Sequence, residues 1–491
     1  MNSINAIKLN KTDFIIALVL LLFSGFLIFF KINSTQLQDW DEGIYANIAG
    51  DMVENNHWFN MQFSGTDWYE KEILPYWLMA LSIKNFGFTV FAVRLPFTII
   101  SIFLVPLFYL ITRYYLNKIL SLATSLLFLF SPYLWISHVL RTGDFDALAL
   151  TFFLAAIVSY LYLREKKFFW VSSIFISLSI MSRGVMGYLF LTIILISELI
   201  RPKFKLDKWK IKKVILYLTI SILPWLLWHF YWLLQGGQKY IDVYWKDQFF
   251  NRITTPLQGH YGDFYYYFNI ISKFIDSSYV FIFFVGIILT LFFTLKKNWK
   301  FFFLLIWLTI TLVPLQIIHT KLYWYLLPAL PVLYLTTIAS LSKIAQPLFI
   351  KYKKATVTIV SIIFISHILI FSTMTFGYIT KNNTQNYKNF IKNAMTNIPN
   401  NEHNIVLYNS GNNEYININQ RLRWYLYYEN NKQIKFATTK SIEKNPEEYL
   451  NNPYWIANQD GLKEINNLNK QFTYSKLYSD GDFTLIKIKS L

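Results

Sequence analysis

Five carboxylates crowd one short stretch of an otherwise basic chain. DWDEGIYANIAGDMVENN, residues 39–56, holds Asp39, Asp41, Glu42, Asp51 and Glu54. Acids packed this closely can cap a helix, hold a cation, or orient and accept a proton. Within the stretch Ile44, Tyr45, Ile48, Ala49, Met52 and Val53 recur at helical spacing. That pattern predicts an amphipathic helix lying in a membrane interface. Asp39 then reads as its N-cap, with Glu42 three residues on completing a capping box. Acids at that end also suit the positive pole of the helix dipole. Catalytic and capping roles are compatible, because one acid can cap while another faces a cavity.

A second charged stretch follows. In DWYEKEILPYWLMALSIKNFG, residues 67–87, Tyr69, Glu70, Lys71 and Glu72 precede an apolar helix with Pro75 in its first turn. Lys71 is placed either to snorkel to lipid headgroups or to meet a phosphate at the membrane surface. The chain has no Cys, which excludes disulfides, thiolate zinc sites and Cys nucleophiles. Its seven His residues show no H-x-x-x-H spacing, so no transition-metal site is expected. A divalent ion on the Asp39/Asp41 pair is the weaker alternative. There is no glycine-rich phosphate loop and no G-x-S-x-G elbow.

The elements that must position these groups are membrane helices. Of 491 residues 54% are hydrophobic and only 15% charged, and apolar runs near twenty residues recur. Hydropathy gives about eleven spans, at 13–31, 89–111, 119–138, 146–163, 168–182, 185–200, 213–234, 277–295, 301–318, 322–341 and 355–378. The net charge of +18 would suggest nucleic acid in a soluble protein. Here Lys and Arg gather in alternate loops, such as REKK at 164–167, RPKFKLDKWKIKK at 201–213 and KKNWK at 296–300. They are topogenic, and no nucleic-acid partner is expected. The positive-inside rule puts those loops and the N-terminus in the cytoplasm. The loops at 32–88, 139–145, 183–184, 235–276 and 319–321, with the tail, then face outward.

Residues 1–379 thus form a membrane domain and 380–491 a small extracytoplasmic α/β domain. In the latter, strands are expected at 404–409, 433–438 and 453–458, with a final hairpin turning near 480–482. NQRLRWYLYYEN and SIEKNPEEYLNN read as helices, the second capped by Ser441. Arg421, Arg423 and Glu429 read as one solvated helix face, and the tail is expected to bind or gate rather than catalyse.

Read together, W-D-E-x-x-Y-A-x-I-A, F-x-G-x-x-W-Y-E-K-x-x-L-x-Y-W and A-x-R-L-P at 92–96 resemble polyprenyl-phosphate-dependent glycosyltransferases of the GT-C type. That group includes the protein O-mannosyltransferase-like and aminoarabinose transferase-like enzymes. RTGDFDALALTFF (141–153), MSRGVMG (181–187), DQFFNRITTPLQGHYGDFYYY (247–267) and HTKLYWYLLPALP (319–331) extend the likeness. The resemblance implies a mainly α, polytopic GT-C fold in the cell inner (plasma) membrane, with interfacial helices in the first outer loop. It implies a polyprenyl-monophosphate sugar donor, an acceptor hydroxyl or phosphate on a lipid, protein or glycan, inverting displacement and no cofactor. Asp41, with Glu42, would orient or deprotonate the acceptor. Lys71, Arg252 and Lys321, with Tyr69 and Tyr325, would hold the donor phosphate; Arg141, Arg183, Asp146 and Asp39 stand behind them. For Tyr325 the aromatic belt is the competing reading, and Asp146 holds either Arg141 or the acceptor. The aminoarabinose enzymes carry D-E-x-R-Y where this chain has Ile44, and K-P-P where it has Lys71-Glu72-Ile73, so their sugar does not carry over. A pyrophosphate-linked glycan transferase and a lipid-linked sugar flippase are the alternatives; the latter would show ionisable groups at mid-membrane and related halves. Asp41→Asn should abolish sugar transfer by the purified protein; persistence of transfer would remove the base assignment.

Overall fold

A computed structural model describes residues 9–38, 40–63, 65–136, 138–164, 168–199, 208–351, 353–380, 387–408, 420–468, 472–480 and 483–490. Two compact units emerge. The first comprises Met1–Phe30, Trp68–Leu78 and Leu95–Lys381; the second comprises Lys31–Asp67, Met79–Arg94 and Asn382–Leu491. The first outer loop is therefore shared between them.

In chain order the helices begin with α1 (Lys11–Phe29), α2 (Asp41–Glu54), α3 (Leu74–Phe86), α4 (Val90–Ser101) and α5 (Leu104–Arg113). Next come α6 (Lys118–Leu129), α7 (Asp146–Leu163), α8 (Val171–Ser182), α9 (Gly184–Leu199) and α10 (Lys208–Tyr240). A π-helical stretch, Ile241–Asn251, leads into the single turn α11 (Arg252–Thr254). Then follow α12 (Tyr266–Phe274), α13 (Ser277–Leu295), α14 (Trp299–Ile317), α15 (Leu330–Lys351) and α16 (Lys353–Thr380). Among the described residues six helical stretches are long and apolar enough to cross a membrane: Lys11–Phe29, Val90–Arg113, Asp146–Leu163, Ile211–Thr254, Ser277–Leu295 and Trp299–Ile317. The protein is a multi-pass membrane protein.

The membrane unit is apolar on its outside as well as in its core. Leu22, Phe230, Phe281 and Leu295 are more than half exposed, a surface suited to lipid and costly in water. Between the helices, hydroxylated residues bridge neighbouring backbones. Ser172 and Ser179 of α8 donate to the carbonyls of Ala156 and Ala149 on α7, each at 2.9 Å. Ser24 of α1 donates to Ile102 O at 3.0 Å. Such residues let helix backbones approach and tie them where no hydrophobic force separates helix from lipid.

Two expected boundaries move. The span read at 322–341 begins only at Leu330, because Tyr323–Leu326 forms a 3-10 turn before Pro328. The span read at 213–234 runs past its expected end to a kink at Gly237, whose φ of 51° an L side chain rarely adopts, and helix resumes to Tyr240.

In the second unit a short hairpin pairs β1 (Gln62–Phe63) with β2 (Thr66–Asp67). A five-stranded sheet is built from β3 (Asn404–Tyr408), β4 (Gln433–Ala437), β5 (Tyr454–Asn458), β6 (Phe472–Asp480) and β7 (Phe483–Ser490), in the order β4-β3-β5-β7-β6. β3 pairs in parallel with β4 and β5, whereas β7 runs antiparallel to both β5 and β6. Helices α17 (Tyr387–Met395), α18 (Gln420–Trp424), α19 (Thr439–Lys444), α20 (Pro446–Leu450) and α21 (Gln459–Asn467) complete it. Val406, Trp455, Ile465, Phe472 and Ile486 form the centre of its core. Ser441 is not the cap of α19. Thr438 is, and Ser441 completes the capping box from the third position. Pro446 then breaks the expected single helix in two.

α2 differs most from expectation. Its cap position is Trp40, with no side-chain cap bond and φ of 62°; Asp39 lies outside the described residues. Rather than half-exposed at an interface, α2 is buried along most of its length, including Glu42, Asn47 and Asp51. The polar groups are matched from within the unit. Arg94 donates to both oxygens of Glu42, at 2.6 and 2.8 Å, and to the carbonyls of Ile32, Thr35 and Gln36. Glu42 also accepts the Gln38 N–H at 2.6 Å. Glu42 and Arg94 are 0% and 1% exposed. Removing one partner of such a pair strands a buried charge, at about 3–5 kcal/mol. Arg94→Ala should therefore lower the melting temperature of the detergent-purified protein by many degrees, and an unchanged melt would show the pair to be dispensable.

Candidate active site

A cavity of about 340 Å³ opens within the membrane unit, and its polar lining comes from four separate segments. Lys71 and Glu72 precede α3, Arg183 precedes α9, Tyr244 and Arg252 come from the π-helical stretch and its end, and Tyr325 comes from the 3-10 turn. Val185, Leu189 and Ile317 supply apolar wall. Three cations, Lys71, Arg183 and Arg252, outnumber the carboxylates Glu70 and Glu72, and with the hydroxyls against an apolar surface they suit a ligand with an anionic head and a lipid body.

Local folding explains each placement. A π-helical stretch of eleven residues is rare and re-aims side chains relative to an α-helix. It delivers Arg252 to the cavity, where Nη1 donates to Tyr325 Oη at 3.0 Å and Nε donates to Gln248 Oε1 at 2.9 Å. The facing segment is pinned by backbone bonds from His319 N to Ile253 O and from Thr320 N to Arg252 O. Tyr325 is thus tied to the arginine and is more than a belt aromatic. Arg183 ends α8 in an extended conformation, and its Nη1 donates to Asp146 Oδ2 at 2.6 Å. Asp146, 1% exposed, is compensated by that guanidinium.

Other expected residues are engaged elsewhere. The Lys321 ammonium donates to Leu315 O at 2.8 Å and lies over the Tyr267 ring, so it closes the C-terminal end of α14. Burial pulls Lys321 below the usual lysine range. Tyr69 is buried edge-on against Trp232 and Tyr240. Arg141, at φ of 65°, donates to Ile379 O and Phe30 O at 3.0 and 2.7 Å, joining the ends of α16 and α1. In the same outward turn His138 Nδ1 lies 3.2 Å from Asp144 Oδ1. Burial alone would raise Asp144; the neighbouring His138, with Thr142 and Arg183, holds it below the ordinary carboxylate range. The acidic residues Asp41 and Glu42 belong to the second unit, where Asp41 opens α2 and Glu42 is held by Arg94.

Glu72 is the residue that the sequence noted only as a departure from a motif. It is 3% exposed, lines the cavity, and accepts the Tyr244 hydroxyl at 2.6 Å. Gly184 makes room for it: a Cβ there would fall 2.3 Å from Glu72 Oε1 and 3.2 Å from Tyr244 Oη. The first glycine of MSRGVMG was the available signal. Gly184→Ala should force the Glu72–Tyr244 contact apart and cost about 1–3 kcal/mol, as overpacking does. The reading fails if the melting temperature of that variant matches the parent's.

The family model for dolichyl-phosphate-mannose-protein mannosyltransferase matches residues 70–228, which include Lys71, Asp146 and Arg183. An uncharacterised protein of Aquifex aeolicus is 24% identical over 306 residues, 60% of this chain and 58% of its own length. The undecaprenyl phosphate-alpha-4-amino-4-deoxy-L-arabinose arabinosyl transferase of Wigglesworthia glossinidia brevipalpis is 32% identical over 123 residues, 25% of this chain and 22% of its own. The chain thus spans less than two thirds of those relatives. The crystal structure of ArnT from Cupriavidus metallidurans bound to undecaprenyl phosphate superposes with a TM-score of 0.71 at 13% identity, covering 97% of this chain and 98% of that one. The apo oligosaccharyltransferase of Archaeoglobus fulgidus gives 0.61 at 12% identity, covering 91% and 69%. The chain is related, by local sequence and by overall fold, to the GT-C type polyprenyl-phosphate-sugar glycosyltransferases.

Proposed function

We propose that the protein is a membrane glycosyltransferase that moves a sugar from a polyprenyl monophosphate to an extracytoplasmic acceptor hydroxyl or phosphate. The observation that carries this reading is the convergence of Lys71, Arg252 and Tyr325 on one largely apolar cavity. The undecaprenyl-phosphate and aminoarabinose relatives support the donor class. Lys71 and Arg252 neutralise the phosphate and Tyr325 donates to it, while the prenyl chain follows the apolar wall into lipid. Arg183, already balanced by Asp146, adds field rather than full charge.

In the reaction an acceptor oxygen attacks the anomeric carbon from the face opposite the phosphate. The sugar–phosphate C–O bond breaks with its electron pair leaving on the phosphate, and the configuration inverts. The family resemblance, rather than the cavity, assigns the acceptor's proton to Asp41. A carboxylate is a modest base, so its contribution is largely orientation of the hydroxyl. The leaving phosphate is a stable anion, and fixed cations rather than a general acid stabilise it. No cofactor is assigned. The charge asymmetry of the loops supports a site on the non-cytoplasmic face of the inner membrane and a cytoplasmic N-terminus.

Purified protein supplied with a panel of polyprenyl-phosphate sugars, with and without chelator, tests the reading. Transfer is expected from monophosphate donors irrespective of chelator. Lys71→Ala and Arg252→Ala should each raise the donor KM by about tenfold or more, since each removes a charge-assisted hydrogen bond. Transfer confined to pyrophosphate-linked donors would move the protein to the oligosaccharyltransferase-like alternative, and lipid-linked sugar movement without transfer would make it a flippase.

A further inference from the structure

The tail was expected to present Arg421, Arg423 and Glu429 to solvent. Instead Arg421 and Arg423 are 4% and 6% exposed. A buried guanidinium needs partners, and those of Arg423 lie on α2, more than 370 residues earlier in the chain. Its Nη1 donates to Asn47 Oδ1 at 2.5 Å, and its Nη2 donates to Asp51 Oδ1 and Oδ2 at 3.0 and 3.3 Å. The rings of Phe63, Tyr427 and Tyr428 surround the guanidinium, each centroid within 6 Å.

Neighbouring tail residues grip the same segment. The Tyr428 hydroxyl donates to Asp51 Oδ1 at 2.6 Å, and its ring stacks on Phe88 at 4.6 Å. A Cβ at position 50 would fall 2.5 Å from the Tyr428 ring, so Gly50 is what permits the approach. The Tyr425 hydroxyl accepts the Leu37 N–H at 3.3 Å, on the approach to α2. Asn47 is oriented for its role: its Nδ2 donates to Gly43 O at 2.7 Å, which leaves Oδ1 for Arg423. Asn47 and Asp51, four residues apart on one face of α2, are thus both committed to the tail.

We propose that the C-terminal segment 420–429 is the positioning element of α2 and, through it, of Asp41. This rests on the assignment of Asp41 above. Glu42–Arg94 holds the first turn of α2, and Arg423 with Tyr428 holds its middle. Two anchors on one rigid helix set both the position and the axial rotation of the residue at its start, which one anchor cannot do. Arg423 is a positioning residue: its contacts are with Asn47 and Asp51, and its effect on the reaction passes through α2. The bidentate, planar geometry matters, because a lysine ammonium cannot span Asn47 and Asp51 in the same way.

Two readouts test this on the full-length protein. Hydrogen–deuterium exchange should quicken across residues 41–54 in Arg423→Ala, with the membrane helices unchanged. Sugar transfer should lose about tenfold or more in kcat while the donor KM stays within about twofold, because orientation is lost and the phosphate site is not. Arg423→Lys should recover part of the kcat. If Arg423→Ala does not accumulate, Arg423→Lys and Tyr428→Phe carry the same two assays, the latter losing only a hydroxyl. Unchanged exchange at 41–54 overturns the proposal, and so does quickened exchange with an unaltered kcat, which would leave a purely structural contact. A parent protein that transfers no sugar removes the functional reading, while the exchange experiment still decides whether the tail holds α2.

Discussion

Glu42 and Arg94 are both removed from water, and neither could stand there without the other. The guanidinium uses its donors on a carboxylate and on successive carbonyls of the preceding loop. That one interaction converts a loop into a scaffold. It gathers the backbone from Ile32 to Gln36, seats the first turn of α2, and gives the strained Trp40 conformation a reason to persist. Buried ion pairs contribute little net stability against a hydrophobic replacement, but they are unforgiving of misplacement. Specificity of position is what a helix beginning with Asp41 requires.

The cavity in the membrane unit follows a different logic. Its cations are few and individually tethered: Arg252 by Gln248 and Tyr325, Arg183 by Asp146. Tethering lowers the entropy lost when an anion binds and keeps the positive charges from spreading into solvent. Glu72 sits among them, tied to Tyr244, so the site is not uniformly positive. A pocket with mixed charge and an apolar wall discriminates more finely than a simple basic patch, because every buried polar group must be matched by the ligand or left unsatisfied.

In lipid the remaining polar contacts carry a larger share of the architecture. Hydroxyl-to-carbonyl bonds tie α8 to α7 and α1 to the α4–α5 junction, and Asp13 on α1 meets Arg113 on α5 at 2.7 Å. Where Lys321 was expected to serve a ligand, it serves a helix end instead. An ammonium beside unpaired carbonyls already has its preferred partners.

The sequence by itself determined the membrane class, the approximate place of the helical segments, the strands of the tail and the family resemblance. All of these depend on periodicity, hydropathy or short-range spacing, which a linear chain displays directly. Lys71, Arg183, Arg252 and Tyr325 were legible as a group because each lies in a compact motif. What the sequence could not assign was which charge meets which. Arg423 looked like solvated surface because it falls on a short polar face with Arg421 and Glu429; its partners Asn47 and Asp51 are remote in sequence. Lys321 looked like a ligand for a phosphate because the carbonyls that take it are backbone groups, invisible in residue identity. Glu72 looked like a motif defect until Gly184 and Tyr244 were seen to frame it. Only the tertiary structure decides such pairings, since burial turns an interchangeable surface charge into one that must find a single partner.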